Sequence, residues 1–490
     1  MRRGSLRPAV IATLAVALFR VLVLPFLTQP GYSDAFYYFG AARRLTGGQG
    51  LTVDFVWNFI EAPGFPPLPI PSHRFWMPLA SALQAAGIAL FGSVLDALRS
   101  AQLAIAFVAI AIVPATYVLA RRLDLSPRAA ALVAFLAGLG GIDAAAWSSL
   151  DYFAPLALAA TLLLAALPGI AAGRPRDAVI GGLALGAIVL ARSDGALYAV
   201  APLLVAGRRQ PRLALATIAI GALVALPWFV RDATLGLPEG QLARAAFLVR
   251  YEDFFAIATP TLQAYLAALD VALAAKLRAL GANGVTFLFA TFVVLGPLAV
   301  VGAWRRRAHP IALGWLTLAV LTYLVQSLVF TLHSTQGSYP HSLAGLVPAT
   351  VAIAVAEGAR WLTATRSFAA VALGVGGLAL SVSSIAQWPG LYDPNLATRR
   401  ANVASGDIIA PAMVIDAPAW RYVLDGPAIV TPADGLAAAR DVARRYGVRT
   451  LVLEAAHFSA YDPLYRGAEH PDWLEPVRVE GLTKVWRVRP

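Results

Sequence analysis

Asp34 stands where an acid could bear on chemistry. It follows the first long apolar stretch by seven residues and precedes Tyr37, Tyr38, Ala41, Ala42 and Leu45, which share one face if the segment is helical. An Asp that opens a helix can equally serve as its N-terminal cap, and spacing alone leaves both roles open. Two further acids, Asp143 and Asp151, lie after the third apolar stretch, where Asp151 can also cap the next helix. The turn Arg192-Ser193-Asp194-Gly195 joins two short apolar stretches, and the polar run 331–341, with His333 and His341, lies between two more. Polar groups at such places line a cavity more readily than they face lipid. Each has a plainer reading: Arg192 can pair with Asp194, Arg231 with Asp232, and a His at a helix start is commonly a surface residue. Asp54 and Glu61 read as solvated loop charges.

The elements that must hold these residues are mostly membrane helices. Of 490 residues 59% are apolar and 13% charged, and the mean hydropathy is +0.68, outside the range of soluble globular chains. Apolar stretches near the ~20 residues that cross a bilayer alternate with short Arg-, Gly- and Pro-rich segments. The net charge of +12 does not indicate nucleic acid. From Gly390 onward twelve basic residues balance twelve acidic ones, so the excess sits in the short loops of the membrane part. With no Cys, thiolate metal sites and cysteine nucleophiles are excluded.

The basic loops are Arg2/Arg3/Arg7, Arg121/Arg122/Arg128, Arg174/Arg176, Arg208/Arg209/Arg212, Arg305/Arg306/Arg307 and Arg360/Arg366. Placing all of them in the cytoplasm requires eleven spans, at 8–27, 98–120, 127–143, 152–168, 178–192, 195–206, 211–230, 284–303, 309–330, 342–360 and 367–386. Residues 76–91 then form a juxtamembrane helix, the N-terminus is cytoplasmic and the C-terminus is outside. The expected architecture is an α-helical polytopic protein of the cell membrane, with a transmembrane domain over 1–389 and an extracytoplasmic α/β domain over 390–490. Two long outer loops, 28–97 and 232–283, belong to the former. The C-terminal part reads as strands near 412–415, 428–431, 450–454 and 484–488 with a helix over 434–446, and carries no phosphate loop or nucleophile elbow. Loops this long beside compact helices place the active surface on the non-cytoplasmic side.

The first outer loop, with Ser33-Asp34-Ala35-Phe36-Tyr37-Tyr38, then Gly47-Gly48-Gln49-Gly50-Leu51-Thr52-Val53-Asp54-Phe55-Val56-Trp57, then His73-Arg74-Phe75-Trp76-Met77-Pro78-Leu79, resembles that of the GT-C superfamily. That superfamily includes protein O-mannosyltransferases and the lipid A aminoarabinose transferase. The segments 190–195, 227–232, 250–255 and 337–342 are similar to segments of bacterial members, and the resemblance spans roughly residues 8 to 460. It implies the GT-C fold, a polyprenyl-phosphate sugar as donor and a catalytic Asp at the end of the first helix, which maps onto Asp34. Many members follow that Asp with Glu, where this chain has Ala35.

Transfer from a phosphate-linked sugar needs one base rather than the paired carboxylates of a glycosidase. The resemblance implies that Asp34 is that base, in an inverting displacement by a hydroxyl of a protein, lipid or glycan acceptor. Cations must hold the leaving phosphate, and the candidates are Arg250, His341, Arg231, Arg192 and His333. Asp151 or Asp143 would be the second acid that this loop supplies in the superfamily. With Asp34 and His73, Asp151 could bind a divalent ion, though no spacing rule demands one, and no other cofactor is indicated. The partners implied are the lipid-linked donor, the acceptor and the bilayer. A transporter or flippase of lipid-linked sugars is the alternative, since a polar cavity between short helices also suits transport.

Overall fold

A computed structural model describes residues 6–236, 241–361 and 366–489. Arg2 and Arg3 of the first basic loop lie outside them. The chain divides into two compact units. One comprises the residues up to Thr28 with Trp76–Leu235 and Lys276–Trp388; the other comprises Gln29–Phe75, Gly236–Ala275 and the stretch from Pro389.

The first unit is a helical bundle. Among the described residues seven helices of the chain are long and apolar enough to cross a membrane: Arg7–Phe26, Ala97–Arg122, Phe153–Ala171, Pro211–Thr234, Leu269–Ala290, Pro310–Leu328 and Ser367–Ala386. The pair Thr331–Leu343 and Val347–Trp361, bent by 63°, makes an eighth if it is one span. The other expected spans are shorter or broken. The Pro127–Leu139 helix ends at Gly140, in the left-handed region at φ 85°. Pro175–Ala191 has 17 residues, and Ser193–Ala206 opens as a 3-10 helix. The expected span at 284–303 is divided between Leu269–Ala290 and Leu295–Arg305. The juxtamembrane segment is the 13-residue helix Leu79–Phe91, which at 1.5 Å per residue reaches only about 20 Å.

Small residues let these helices touch. A Cβ on Gly182 would come within 2.6 Å of Ile220, and one on Gly186 within 2.5 Å of Val224. The spacing is thus a small-residue seam between Pro175–Ala191 and Pro211–Thr234. Two buried carboxylates of the bundle are paired with arginines. Arg122 meets the buried Asp177 at 2.8 Å, and Arg305 meets the fully buried Glu357 at 2.5 Å.

Arg20, buried in the first span, fixes the loop that carries Asp143 and Asp151. Its Nη2 donates to the carbonyls of Gly138 (2.8 Å) and Leu139 (3.0 Å), the unpaired C-terminal groups of the helix before that loop. Its Nη1 donates to Ser148 Oγ at 2.7 Å. Gln84 Nε2 donates to the Leu150 carbonyl at 2.9 Å, and Ser384 Oγ accepts from Ala145 N and donates to Ile142 O. The loop is therefore held from three helices.

The second unit is built on a six-stranded sheet in the order Phe55–Val56, Ala428–Val430, Ala412–Val414, Thr450–Leu453, Lys484–Val488, Leu474–Arg478. The first four strands are parallel and the last two join antiparallel. The four strands expected in the C-terminal stretch are present, as is the helix Leu436–Tyr446. Of the segments read from sequence as outer loops of the transmembrane domain, 28–97 and 232–283, the parts Gln29–Phe75 and Gly236–Ala275 belong to the unit of this sheet. Phe55 and Val56 form its edge strand. The helix Ser33–Thr46 packs on Ala417–Val423, with Phe36 in one cluster with Leu396, Ala419 and Tyr422. Asp54 binds Arg421 at 2.7 Å and Arg44 at 3.4 Å, so it is an internal ion pair rather than the solvated charge expected.

Deleting residues 389–490 removes the strand beside Phe55–Val56 and the helix beneath Phe36. Limited proteolysis in detergent should then cleave within 29–75 while the transmembrane fragment stays resistant, and equal resistance of 29–75 in the truncated and full chains would contradict this packing.

Candidate functional site

Within the helical unit the predicted residues Asp151, Arg192 and His341 meet in one buried polar chain. Arg192 follows the Pro175–Ala191 helix in extended conformation. Its Nε donates to Asp194 Oδ1 at 2.6 Å and its Nη2 to Oδ2 at 3.0 Å, so the expected Arg192–Asp194 pair forms and is bidentate. Nη2 also reaches Ser338 Oγ at 3.0 Å, and Nη1 reaches the hydroxyl of Tyr152 at 2.6 Å. That hydroxyl is 2.7 Å from His341 Nδ1, and His341 Nε2 stands 3.9 Å from Asp151 Oδ2. The ring of His341 lies edge-on to Phe153, centroids 4.4 Å apart, and is fixed from both sides.

Asp194 anchors the other end. Its Oδ2 accepts from Gln326 Nε2 at 2.7 Å and from Ser342 Oγ at 2.9 Å. Gln326 comes from the helix Pro310–Leu328, and Ser342 from just beyond the break where Gly337 at φ 119° interrupts the helix between His333 and Tyr339. The interruption explains the polar run: side chains at 338 and 342 turn to Arg192 and Asp194. His333 ends the short helix before the break.

Asp151 is fully buried, and its Oδ1 accepts from the backbone of Tyr152 at 2.5 Å. Asp143 lies half-buried in the 3-10 turn Gly141–Asp143 of the same loop. Arg231 pairs with Asp232 at 3.2 Å and lies over Trp228 at 4.4 Å.

Asp34, in the other unit, occupies the first turn of Ser33–Thr46. The cap position belongs to Tyr32, which is extended and makes no side-chain cap bond, so Asp34 is not the N-cap. Burial and the charge of Asp34, in that order, push the Tyr251 hydroxyl well above its usual range, which places Tyr251 within electrostatic reach of Asp34. The neighbouring Arg250 is largely exposed, 3.2 Å from Asp253. His73, expected as a metal ligand, is buried with φ at 61°, and its ring stacks on Tyr38, centroids 5.8 Å apart.

Glu61 corrects an expectation. It is fully buried, accepting from the Tyr37 hydroxyl at 2.8 and 3.0 Å and from Phe75 N at 3.3 Å. The alternation of charges in an irregular loop holds no signal that one acid turns inward. Tyr152 and Gln326 were also missed. Gln326 had a signal, as a polar side chain inside an apolar span; an aromatic beside an acid has none.

No protein-family model and no curated protein matches the sequence. Solved structures match in fold. The oligosaccharyltransferase of Archaeoglobus fulgidus, with a tethered acceptor peptide, aligns at TM-score 0.58 and 14% identity over 93% of this chain and 69% of its own. Its apo form aligns at TM-score 0.56, 15% identity, 93% and 70%. This chain shares the fold of that oligosaccharyltransferase. The Archaeoglobus oligosaccharyltransferase has also been solved with an inhibitory peptide and a dolichol-phosphate, and with Zn and sulfate. ArnT from Cupriavidus metallidurans covers 98% of this chain and 97% of its own at 16% identity, with a TM-score of 0.48.

Tyr152→Phe removes the hydroxyl between Arg192 and His341 and leaves two buried groups short of a partner, a loss of about 1–3 kcal/mol. The thermal midpoint in detergent should fall clearly, whereas Phe153→Leu, which removes ring contacts with His341 and Tyr152 but none of these hydrogen bonds, should cost less. Equal midpoints for Tyr152→Phe and the parent chain would contradict the chain of bonds.

Proposed function

We propose that this protein is an inverting glycosyltransferase, moving a sugar from a polyprenyl-phosphate carrier to a hydroxyl acceptor on the non-cytoplasmic face of the membrane. The observation that carries the reading is the buried chain from Asp194 to Asp151 inside an apolar GT-C bundle. Ionisable groups are costly in such a place and are kept there for function. The dolichol-phosphate bound to the Archaeoglobus protein, a neighbour in fold, supports a lipid-phosphate donor.

Asp34 takes the acceptor's hydroxyl proton. The acceptor oxygen bonds to the anomeric carbon as the bond from that carbon to the phosphate oxygen breaks, and the electron pair leaves with the phosphate. Arg192 has at least four of its five N–H donors on Asp194, Tyr152 and Ser338, so it orients Tyr152 and His341 rather than gripping phosphate itself. Arg250, exposed beside Asp253, has donors to offer the phosphate, and Arg231 and His333 are weaker candidates for the same task.

The residues also fit a divalent ion. Asp151 Oδ2 and His341 Nε2 are 3.9 Å apart, a separation that two ligands of one ion at about 2.1 Å can have, and for Nε2 to be a ligand Nδ1 would carry the ring proton and donate it to the Tyr152 hydroxyl. A bound ion would neutralise charge developing on the leaving phosphate. In this reading His341 takes the place of His73 in the expected set, because the His73 ring is engaged with Tyr38 in stacking.

Asp34→Asn should lower transfer from a polyprenyl-phosphate sugar by about 10²–10⁴-fold while donor binding survives. Retained transfer would sink the base assignment, and a product with the donor's anomeric configuration would sink single displacement. For the ion, dialysis against EDTA should abolish transfer and a divalent cation should restore it, with Asp151→Asn shifting the restoring concentration upward. Transfer that survives EDTA would remove the ion from the reaction.

A further inference from the structure

Glu61 has no part in the mechanism above, yet it is completely buried in the unit that carries Asp34. Its carboxyl is bound by Tyr37, one turn along the helix from Asp34. The Tyr37 hydroxyl is itself tied on its far side, accepting from the backbone N–H of His73 at 2.6 Å. With its acceptor position filled by that N–H, the phenol proton is directed to Glu61. The backbone of Glu61 is held in turn, since its N–H donates to Asn58 Oδ1 at 3.0 Å. The ring of Tyr37 is clamped edge-on by Phe55, Trp57 and His73. Tyr37 cannot rotate without breaking bonds that water cannot reach to replace.

We propose that Glu61 is a positioning residue for Asp34, acting through the Tyr37 hydroxyl, which locks the rotation of the Ser33–Thr46 helix against the His73 backbone. A hydrophobic contact would hold the helix close, but only a directional bond fixes its angle about its own axis. That angle decides where a carboxylate in the first turn points.

The pair also responds to pH. Burial raises the Glu61 carboxyl to about 7, against the lowering effects of the Tyr37 bond, the backbone of Phe75 and Arg74, and the charge of Arg74. Among the described residues, the titratable groups that bear on it are Tyr37 on the helix and Arg74 on the segment opposite, with His73 against Tyr37. A carboxyl with a raised folded pKa holds its proton more tightly folded than unfolded. Its contribution is therefore full below its ordinary value of 4.5 and is lost as pH rises through about 7.

Two variants test the lock without any substrate. In Tyr37→Phe, hydrogen exchange over residues 33–46 at pH 7 should quicken by about tenfold, with the Ala412–Val414 and Thr450–Leu453 strands unchanged. In Glu61→Gln, which keeps an acceptor of the same shape, the decline of the thermal midpoint between pH 5 and 8 should flatten. Unchanged exchange over 33–46, an acceleration spread evenly through the sheet, or a parental pH profile in Glu61→Gln would each overturn the proposal. The consequence for chemistry rests on the transferase reading: Tyr37→Phe should lower kcat for transfer with KM unchanged. If Asp34→Asn still transfers, that reading fails and the exchange result still judges the lock; if Asp34→Asn is inactive and Tyr37→Phe keeps full kcat, the positioning role fails alone.

Discussion

An arginine inside an apolar helix bundle must have its donors bonded or it will not be tolerated, and the Arg192–Asp194 pair meets that demand and neutralises the charge as well. Once the pair is made, the rest of the polar centre follows from unsatisfied valences. Asp194 has a second oxygen to fill, which draws Gln326 and Ser342. Arg192 has donors left over, which draw Ser338 and Tyr152. Tyr152 then holds His341 beside Asp151. Removing either member of the pair would strand a buried charge, with a cost of about 3–5 kcal/mol.

The same logic governs the first span. Arg20 is buried where an aliphatic residue would pack more cheaply, and it is paid for by the carbonyls at the end of a neighbouring helix and by Ser148. The loop bearing Asp143 and Asp151 is consequently rigid at its entry. A loop that must present a carboxylate inside a membrane protein gains from such anchoring, because reorganisation at the moment of reaction is what preorganised sites avoid.

The second unit solves a different problem, which is how irregular segments far apart in sequence become one body. Backbone pairing contributes through the Phe55–Val56 strand. Ring packing contributes through Trp57 with Phe75, Phe254 and Phe255, and Phe255 with Phe458. Charge contributes through Glu252, which accepts from Ser459, and through Asp434, which accepts from Ile257 and Ala258. Arg399, between Glu454 and Asp416 with Trp420 also on Glu454, ties the helix Trp388–Ala404 to the sheet. The helix of Asp34 is a member of this body.

Composition and period alone determined that the chain is a multi-span helical membrane protein with a C-terminal α/β part, because hydropathy and residue alternation are local properties that survive in any context. The strands at 412–414, 428–430, 450–453 and 484–488 were legible for that reason. The sequence also marked Arg192 with Asp194 and the polar run near 338, since ionisable groups among apolar ones are conspicuous. What only the tertiary structure decided were matters of distant pairing. It joined Phe55 to Ala428 across more than three hundred residues, turned Glu61 inward, brought Tyr152 between Arg192 and His341, and gave the cap position before Asp34 to Tyr32. None of these leaves a periodic trace, because a two-residue strand, a single inward acid and one hydroxyl are each too short to repeat.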